Sequence, residues 1–173
     1  MATTTALIEI DFQHWIVALA HDREVVGRAA LARTRFRTEG ALVVCTRYLS
    51  TDPTDPMRSD PAGHGASFHP VLAPDEGDQV LTKYDRDVFT NPDLDTNLRL
   101  RGITDVVFTG IATEHGVALA ARSARALGYR VSVIADACAG TTVGSHHRAL
   151  AALATEGITV VRADACAGVH SST

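Results

Sequence analysis

One α/β domain is what this sequence predicts: a three-layer, Rossmann-like fold with about six mostly parallel strands and helices on both faces. Three observations carry the prediction. Short continuous apolar runs alternate with longer segments of helical period, the pattern of βαβ units whose sheet is covered on both sides. Several of the helical segments close on glycine, at Gly102, Gly128 and Gly157. The chain has 173 residues, 46% of them hydrophobic, enough to bury the core of a single domain spanning residues 1–173.

In chain order, strands are expected at Ala6 to Ile10, Ala41 to Cys45, Gln79 to Thr82, Asp105 to Thr109, Arg130 to Ala135 and Ile158 to Arg162. Each is a short run rich in apolar residues and bounded by polar residues, glycine or helical segments. Helices are expected at about Arg23 to Thr38, Pro92 to Arg101, Thr113 to Leu127 and Ser145 to Glu156. The stretch from Leu49 to Pro74 departs from this rhythm. It holds five of the six prolines, strung with Asp, Ser, Gly and His, and regular elements resume after it, so it is expected to be a long functional loop.

Charge excludes two partner classes. The formal net charge is −4 with the basic residues scattered, which leaves no footprint for nucleic acid and no polybasic face for a membrane. No apolar run approaches the roughly 20 residues that span a bilayer. The opening MATTTALIEI lacks a basic stretch followed by a long apolar one, so no signal peptide is expected and the location expected is cytoplasmic. Cys45, Cys138 and Cys166 are odd in number and form no CxxC pair, which suits reduced, buried thiols. The partners expected are a small-molecule substrate and further copies of the chain.

In open α/β sheets, chemistry sits beyond the carboxyl ends of the strands. Three features stand there: Asp11 after ALIEI, Lys83 after QVLT, and the Gly110–Gly116 turn after DVVFT. Each also has a plain structural reading. The Asp suits a turn or cap, the Lys a solvated surface, and the glycines close packing.

Together, however, these residues resemble the isochorismatase-like hydrolases, the cysteine hydrolase superfamily that includes nicotinamidases and related amidases. The resemblance covers nearly the whole chain. It runs through ALIEIDFQ, LVVCTR, the loop ending GASFHPVLAPDEGDQVLTK, and the long block from Val88 to Gly140 that contains TGIATEHGVALAARSARALGYRVSVIADACAG. It implies that Asp11 is the catalytic acid or base, Lys83 its cationic partner, and position 116 the place of the cysteine nucleophile. Position 116 is glycine. The resemblance also implies a cis peptide at Ile111-Ala112, substrate contacts at Gln13, Phe89, Ile111, Ala112 and His115, no cofactor, and a habit of forming dimers or larger assemblies. The Ala-rich stretch ALAARSARAL fits self-association through close helix approach.

Loss of the thiol turns the expectation from covalent to acid–base catalysis. The true isochorismatases resemble this chain in keeping the Asp and Lys beside a small residue. Their reaction is vinyl-ether hydrolysis: an acid protonates the alkene carbon, an oxocarbenium ion forms, and water adds to release pyruvate. Gly116 would then leave room for the substrate ring. Two other outcomes stay open: an amidase-type hydrolase using water or another residue, and a retired family member serving as a binding or scaffold protein. Cys138, Ser67, Thr113 and His115 are the alternative nucleophiles nearest the site.

Two departures qualify the resemblance. After the lysine, where true isochorismatases carry an Arg-Tyr-Ser-Ala-Phe-like run, the chain reads Tyr84-Asp85-Arg86-Asp87-Val88-Phe89, leaving Phe89 as an expected pocket wall. The loop's Asp52, Asp55, His64 and His69 lack the compact spacing of a nicotinamidase metal site, so no metal is assigned.

Overall fold

Each apolar run becomes a strand, because a strand between two helical layers exposes neither face to water. The computed structural model describes residues 3–168. In chain order its elements are β1 (Thr5–Ile10), α1 (His14–Val17), α2 (Val25–Thr38), β2 (Leu42–Tyr48), α3 (Pro56–Ser59), β3 (Gln79–Lys83), α4 (Pro92–Leu100), β4 (Asp105–Ile111), α5 (Ala118–Ala126), β5 (Arg130–Ala139), α6 (Val143–Thr155) and β6 (Thr159–Val161). The six strands lie in the order β3-β2-β1-β4-β5-β6 and every neighbour is parallel. Strand order reverses between β1 and β4, which opens a crevice at their carboxyl ends.

Two apolar cores flank the sheet. On one face Leu98 of α4, Ala121 of α5 and Leu153 of α6 pack with Ile8 and Phe108; on the other Val25, Ala29 and Phe36 of α2 pack with Leu7 and Val107. Ala118, Ala120, Ala121 and Ala124 of α5 are all buried, so these small side chains bring the helix close to its own sheet.

Local chemistry sets the helix ends. Asn91 caps α4 by accepting from the Asp93 N–H, with Pro92 in the first turn, and Thr142 and Ser145 form a reciprocal capping box on α6. The three glycines expected to close helices, Gly102, Gly128 and Gly157, all take positive φ.

The structure differs from the sequence expectation in five main places. β2 runs on past Cys45 to Tyr48. β5 runs on to Ala139, because Asp136, which interrupts the apolar run, is accommodated: its carboxylate accepts the Ala163 N–H at 2.8 Å. The regular helix α5 begins at Ala118, not Thr113. The residues between form a wide π-type turn, with the Val117 N–H donating to the Ala112 carbonyl five residues back at 3.3 Å. Four-residue α1 was not foreseen, being too short for a periodic signal. The 49–74 segment contains α3 and two 3₁₀ turns, His64–Ala66 and Pro70–Leu72. It is pinned to the end of β1 by His69 N–H to Phe12 O at 2.8 Å and His14 N–H to Ser67 O at 3.2 Å.

β1 and β4 come unusually close where they end. A Cβ on Gly110 would lie 2.3 Å from the Ile10 carbonyl oxygen, and φ there is +138°, so only glycine fits. Among the described residues, no helix is long and apolar enough to cross a membrane.

Candidate active site

Beyond Ile10 the chain turns sharply: Asp11 takes φ +55°, a left-handed conformation that Asp tolerates better than most residues. The turn delivers its carboxyl into the crevice. Oδ2 lies 2.7 Å from Lys83 Nζ at the end of β3, and Oδ1 accepts from Thr46 Oγ1 of β2 at 2.8 Å. Lys83 also donates to the Arg86 carbonyl at 2.8 Å, and its ammonium lies 5.9 Å from the Tyr48 ring centroid. Asp11, Thr46 and Lys83 are all buried. Burial raises the Asp11 pKa above the ordinary carboxylate value, against the opposing pull of the Lys83 charge and of the hydrogen bonds from Lys83 and Thr46.

Gly116 sits in the wide turn after β4, directly against this pair. A Cβ built there would lie 3.5 Å from Lys83 Nζ and 3.0 Å from Ile10 Cγ2. The Ile111–Ala112 peptide is cis, as the resemblance implies. A cleft of about 300 Å³ gathers Asp11, Lys83, Ile111, Ala112, His115 and Gly116 in one lining. Six of the eight residues singled out from sequence therefore meet in one cavity.

The other two do not line it. Gln13 is fully buried and acts as a clasp: its amide nitrogen donates to Tyr48 O at 2.9 Å and Ala66 O at 3.4 Å, while its oxygen accepts the Tyr48 N–H at 2.6 Å. Phe89 packs into the core beside Tyr129, with ring centroids 6.3 Å apart. Neither lines the cleft: β1's exit turn aims Gln13 at Tyr48 of β2, and the Val88–Thr90 turn sets Phe89 beside Tyr129, just before β5.

Trp15, Ile16, Leu19, Tyr48, Arg58, Arg86 and Thr141 complete the lining and were not foreseen. Trp15, Ile16 and Leu19 come from α1 and the turn after it, and Arg58 from α3, elements that left no periodic trace. Thr141 follows β5, and the rule that sites gather at strand ends would have found it had that strand been carried to Ala139.

The remaining sequence candidates lie elsewhere. Cys45 and Cys138 are buried outside the cleft; burial pushes the Cys45 thiol far up and that of Cys138 up to about 12. The expectation for the Cys166 side chain lies outside the described residues. Ser67 donates to His64 O at 2.6 Å, and Thr113 shares a hydrogen bond with His146 Nδ1 at 2.8 Å. His64 stacks on His14 with centroids 4.1 Å apart, and Asp55 pairs with Arg58. Among the described residues, no group of three His, Cys, Asp or Glu is placed to hold a metal ion.

Comparison with known proteins agrees with this architecture. The isochorismatase domain model matches residues 5–165. An uncharacterised isochorismatase family protein of Bacillus subtilis is 34% identical over 157 residues, covering 84% of this chain and 83% of its own. The solved structure of an isochorismatase family protein from Burkholderia thailandensis superposes with a TM-score of 0.83 at 32% identity, covering 93% of this chain and 92% of the other. That of an N-carbamoylsarcosine amidase from Thermoplasma acidophilum superposes with a TM-score of 0.81 at 26% identity, over 97% and 100% of the two chains. With a matched domain model over almost the whole described chain and the same parallel sheet, the chain belongs to the isochorismatase family of hydrolases.

Proposed function

We propose that the chain hydrolyses a small cyclic molecule by acid–base chemistry of Asp11 and Lys83, without a thiol nucleophile, and that the bond cleaved is a vinyl ether of the isochorismate type. One observation carries this reading: a buried carboxyl with a raised pKa, held 2.7 Å from an ammonium, beside a glycine where a nucleophile would stand.

A carboxyl biased toward its protonated form is suited to give a proton away. Asp11 would protonate the terminal alkene carbon of the enol ether, leaving an oxocarbenium ion and the Asp11 carboxylate, which Lys83 then stabilises. Water adds to the cationic carbon, its surplus proton returns the acid, and collapse of the hemiketal releases pyruvate and the ring alcohol. Gly116 leaves space against Lys83, while Ile111, Ala112 and His115 line the wall beside it. Gln13 and Phe89 would act from behind the wall, not on the substrate.

Incubation with isochorismate, with pyruvate and ammonia release followed together, tests the assignment. Pyruvate release that disappears in Asp11→Asn is the expected result. The likeness to an N-carbamoylsarcosine amidase favours amide hydrolysis with water as nucleophile as the second reading, and ammonia release from amides with no pyruvate from isochorismate would establish it instead. Ligand-induced thermal stabilisation without turnover of any substrate would identify a binding protein. The proposal includes self-association, supported by the family resemblance and by exposed Leu31 and Leu100. Light scattering that returns a mass near 18.4 kDa at micromolar concentration would remove that part.

A further inference from the structure

β5 ends at Ala139 and the chain passes through Gly140 to Thr141, which lines the cleft and is exposed to it. Across the gap stands Glu114, two residues before Gly116. One of its oxygens, Oε1, accepts the Thr141 N–H at 2.8 Å, the Thr141 hydroxyl at 2.5 Å and the Ser145 hydroxyl at 3.0 Å. Its other oxygen is buried against Gly140, where a Cβ would come within 2.5 Å of it. Burial works to raise the Glu114 pKa, but the hydrogen bonds from Thr141 and Ser145 outweigh it and hold the group below the ordinary carboxylate range. Glu114 is therefore ionised and has no proton to give.

Hydrogen-bond counting then fixes the sense of the Thr141 contact. A threonine hydroxyl has one proton and two lone pairs. With the proton committed to Glu114, only lone pairs remain for the cleft. We infer that Thr141 is a specificity-determining residue, locked by Glu114 as an acceptor, and that the substrate offers it a donor, a ring hydroxyl or an N–H. The inference rests on the cleft being the substrate site. Glu114 is a positioning residue: it acts through Thr141 and ties the lip of the cleft to the turn that carries Gly116.

Two cyclic acids that differ in whether the ring oxygen carries a hydrogen or a methyl group, 3-hydroxybenzoate and 3-methoxybenzoate, provide the test, with dissociation constants measured calorimetrically on the full chain. The hydroxyl probe should bind about three- to tenfold more tightly to wild type and to Thr141→Ser, the scale of one hydrogen bond. The difference should vanish in Thr141→Val. Glu114→Ala should shrink or reverse it, because the freed hydroxyl proton can turn to the cleft, whereas Glu114→Gln should keep it, since a carboxamide oxygen in the place of Oε1 still accepts the Thr141 N–H and hydroxyl. Asp11→Asn should keep the preference, so a failure of the proton-transfer chemistry and a failure at Thr141 would be told apart. Equal binding of the two probes to wild type, binding of neither at millimolar concentration, or a preference that survives in either Thr141→Val or Glu114→Ala would overturn the inference.

Discussion

Asp11 is pulled in two directions, and the direction that wins decides its chemistry. Lys83 favours the carboxylate, burial favours the acid, and burial prevails. If Asp11 donates its proton in the rate-limiting step, activity is full while it is protonated and falls as pH rises through an apparent pKa above the ordinary carboxylate value. Lys83→Met removes a force that favours ionisation, so the falling limb should move to higher pH. The same change should lower kcat by about 100-fold, since the carboxylate left after proton transfer loses its counter-ion. A pH–rate profile that instead rises through this limb would mean Asp11 works as a base. Gly116 gives a second test at this scale. Gly116→Cys places a sulfur near the Lys83 ammonium, which stabilises thiolate, so intact-mass labelling should show one new thiol reacting faster than free cysteine. Cys138, with its pKa pushed up to about 12, should stay unlabelled in the native protein. The variant has a cost, because its Cβ would meet Ile10 Cγ2 at 3.0 Å and that packed methyl must yield; about 1 kcal/mol of stability is expected to go. Asp11 and Lys83 stand out in the sequence because each follows a strand, and position 116 because of the family resemblance. Thr46, the hydrogen-bond donor to Asp11, directly follows the strand expected to end at Cys45, but a lone threonine has no charge to announce a site, and the Asp11 it serves lies 35 residues away.

At the scale of elements, the cleft depends on how tightly β1 and β4 close behind it. Gly110 is the point of contact, and its two constraints, φ +138° and 2.3 Å to the Ile10 carbonyl, reinforce each other. Gly110→Ala should cost more than about 3 kcal/mol in urea unfolding. Gly102→Ala is the control: φ there is +68° but nothing lies within 4 Å, so only the left-handed backbone is penalised and about 1 kcal/mol is expected. Equal costs at the two sites would mean that the strand contact contributes nothing. Element existence was readable from apolar runs and glycine stops; element ends were less so. β5 was cut short at Asp136 because a charge inside an apolar run looks like its end, and the partner that makes the charge tolerable, the Ala163 N–H, lies 27 residues away. The π-type turn before α5 was invisible for a related reason. Helical period is the same whether the first turn is wide or regular, so the sequence pattern does not distinguish the two.

For the molecule as a whole, a mostly parallel sheet covered by helices on both faces was legible in the alternation of apolar and helical segments, but the tie that holds α2 and the 49–74 segment to the sheet was not. Arg33 of α2 is buried and forks onto Glu9 of β1, also buried, while donating to Leu72 O at 3.0 Å and Ala73 O at 2.9 Å. In sequence, Arg33 is one of several arginines on a helix and Glu9 a lone acid in a strand; nothing in either window announces the other. Burial raises the Glu9 pKa even against the Arg33 charge, and Glu9 Oε1 has no hydrogen-bond partner. Arg33→Met should therefore destabilise the fold by about 3 kcal/mol or more near neutral pH, because it strands a buried carboxylate. The sign of the pH dependence follows from proton counting. Without Arg33 the folded Glu9 holds its proton to higher pH, while the unfolded chain gives it up near the ordinary carboxylate value, so the folded state binds more protons in between. Stability of the variant then falls as pH rises through that window, and the deficit against wild type should be smaller at about pH 5 than at about pH 8. Adding Glu9→Gln removes the stranded charge, and the double variant should recover part of the loss and most of its pH dependence. Urea unfolding of the three proteins at the two pH values measures this directly. A deficit in Arg33→Met that is the same at both, or a double variant no more stable than the single one, would show that Arg33 acts through its backbone ties to residues 72 and 73 and not through the buried charge.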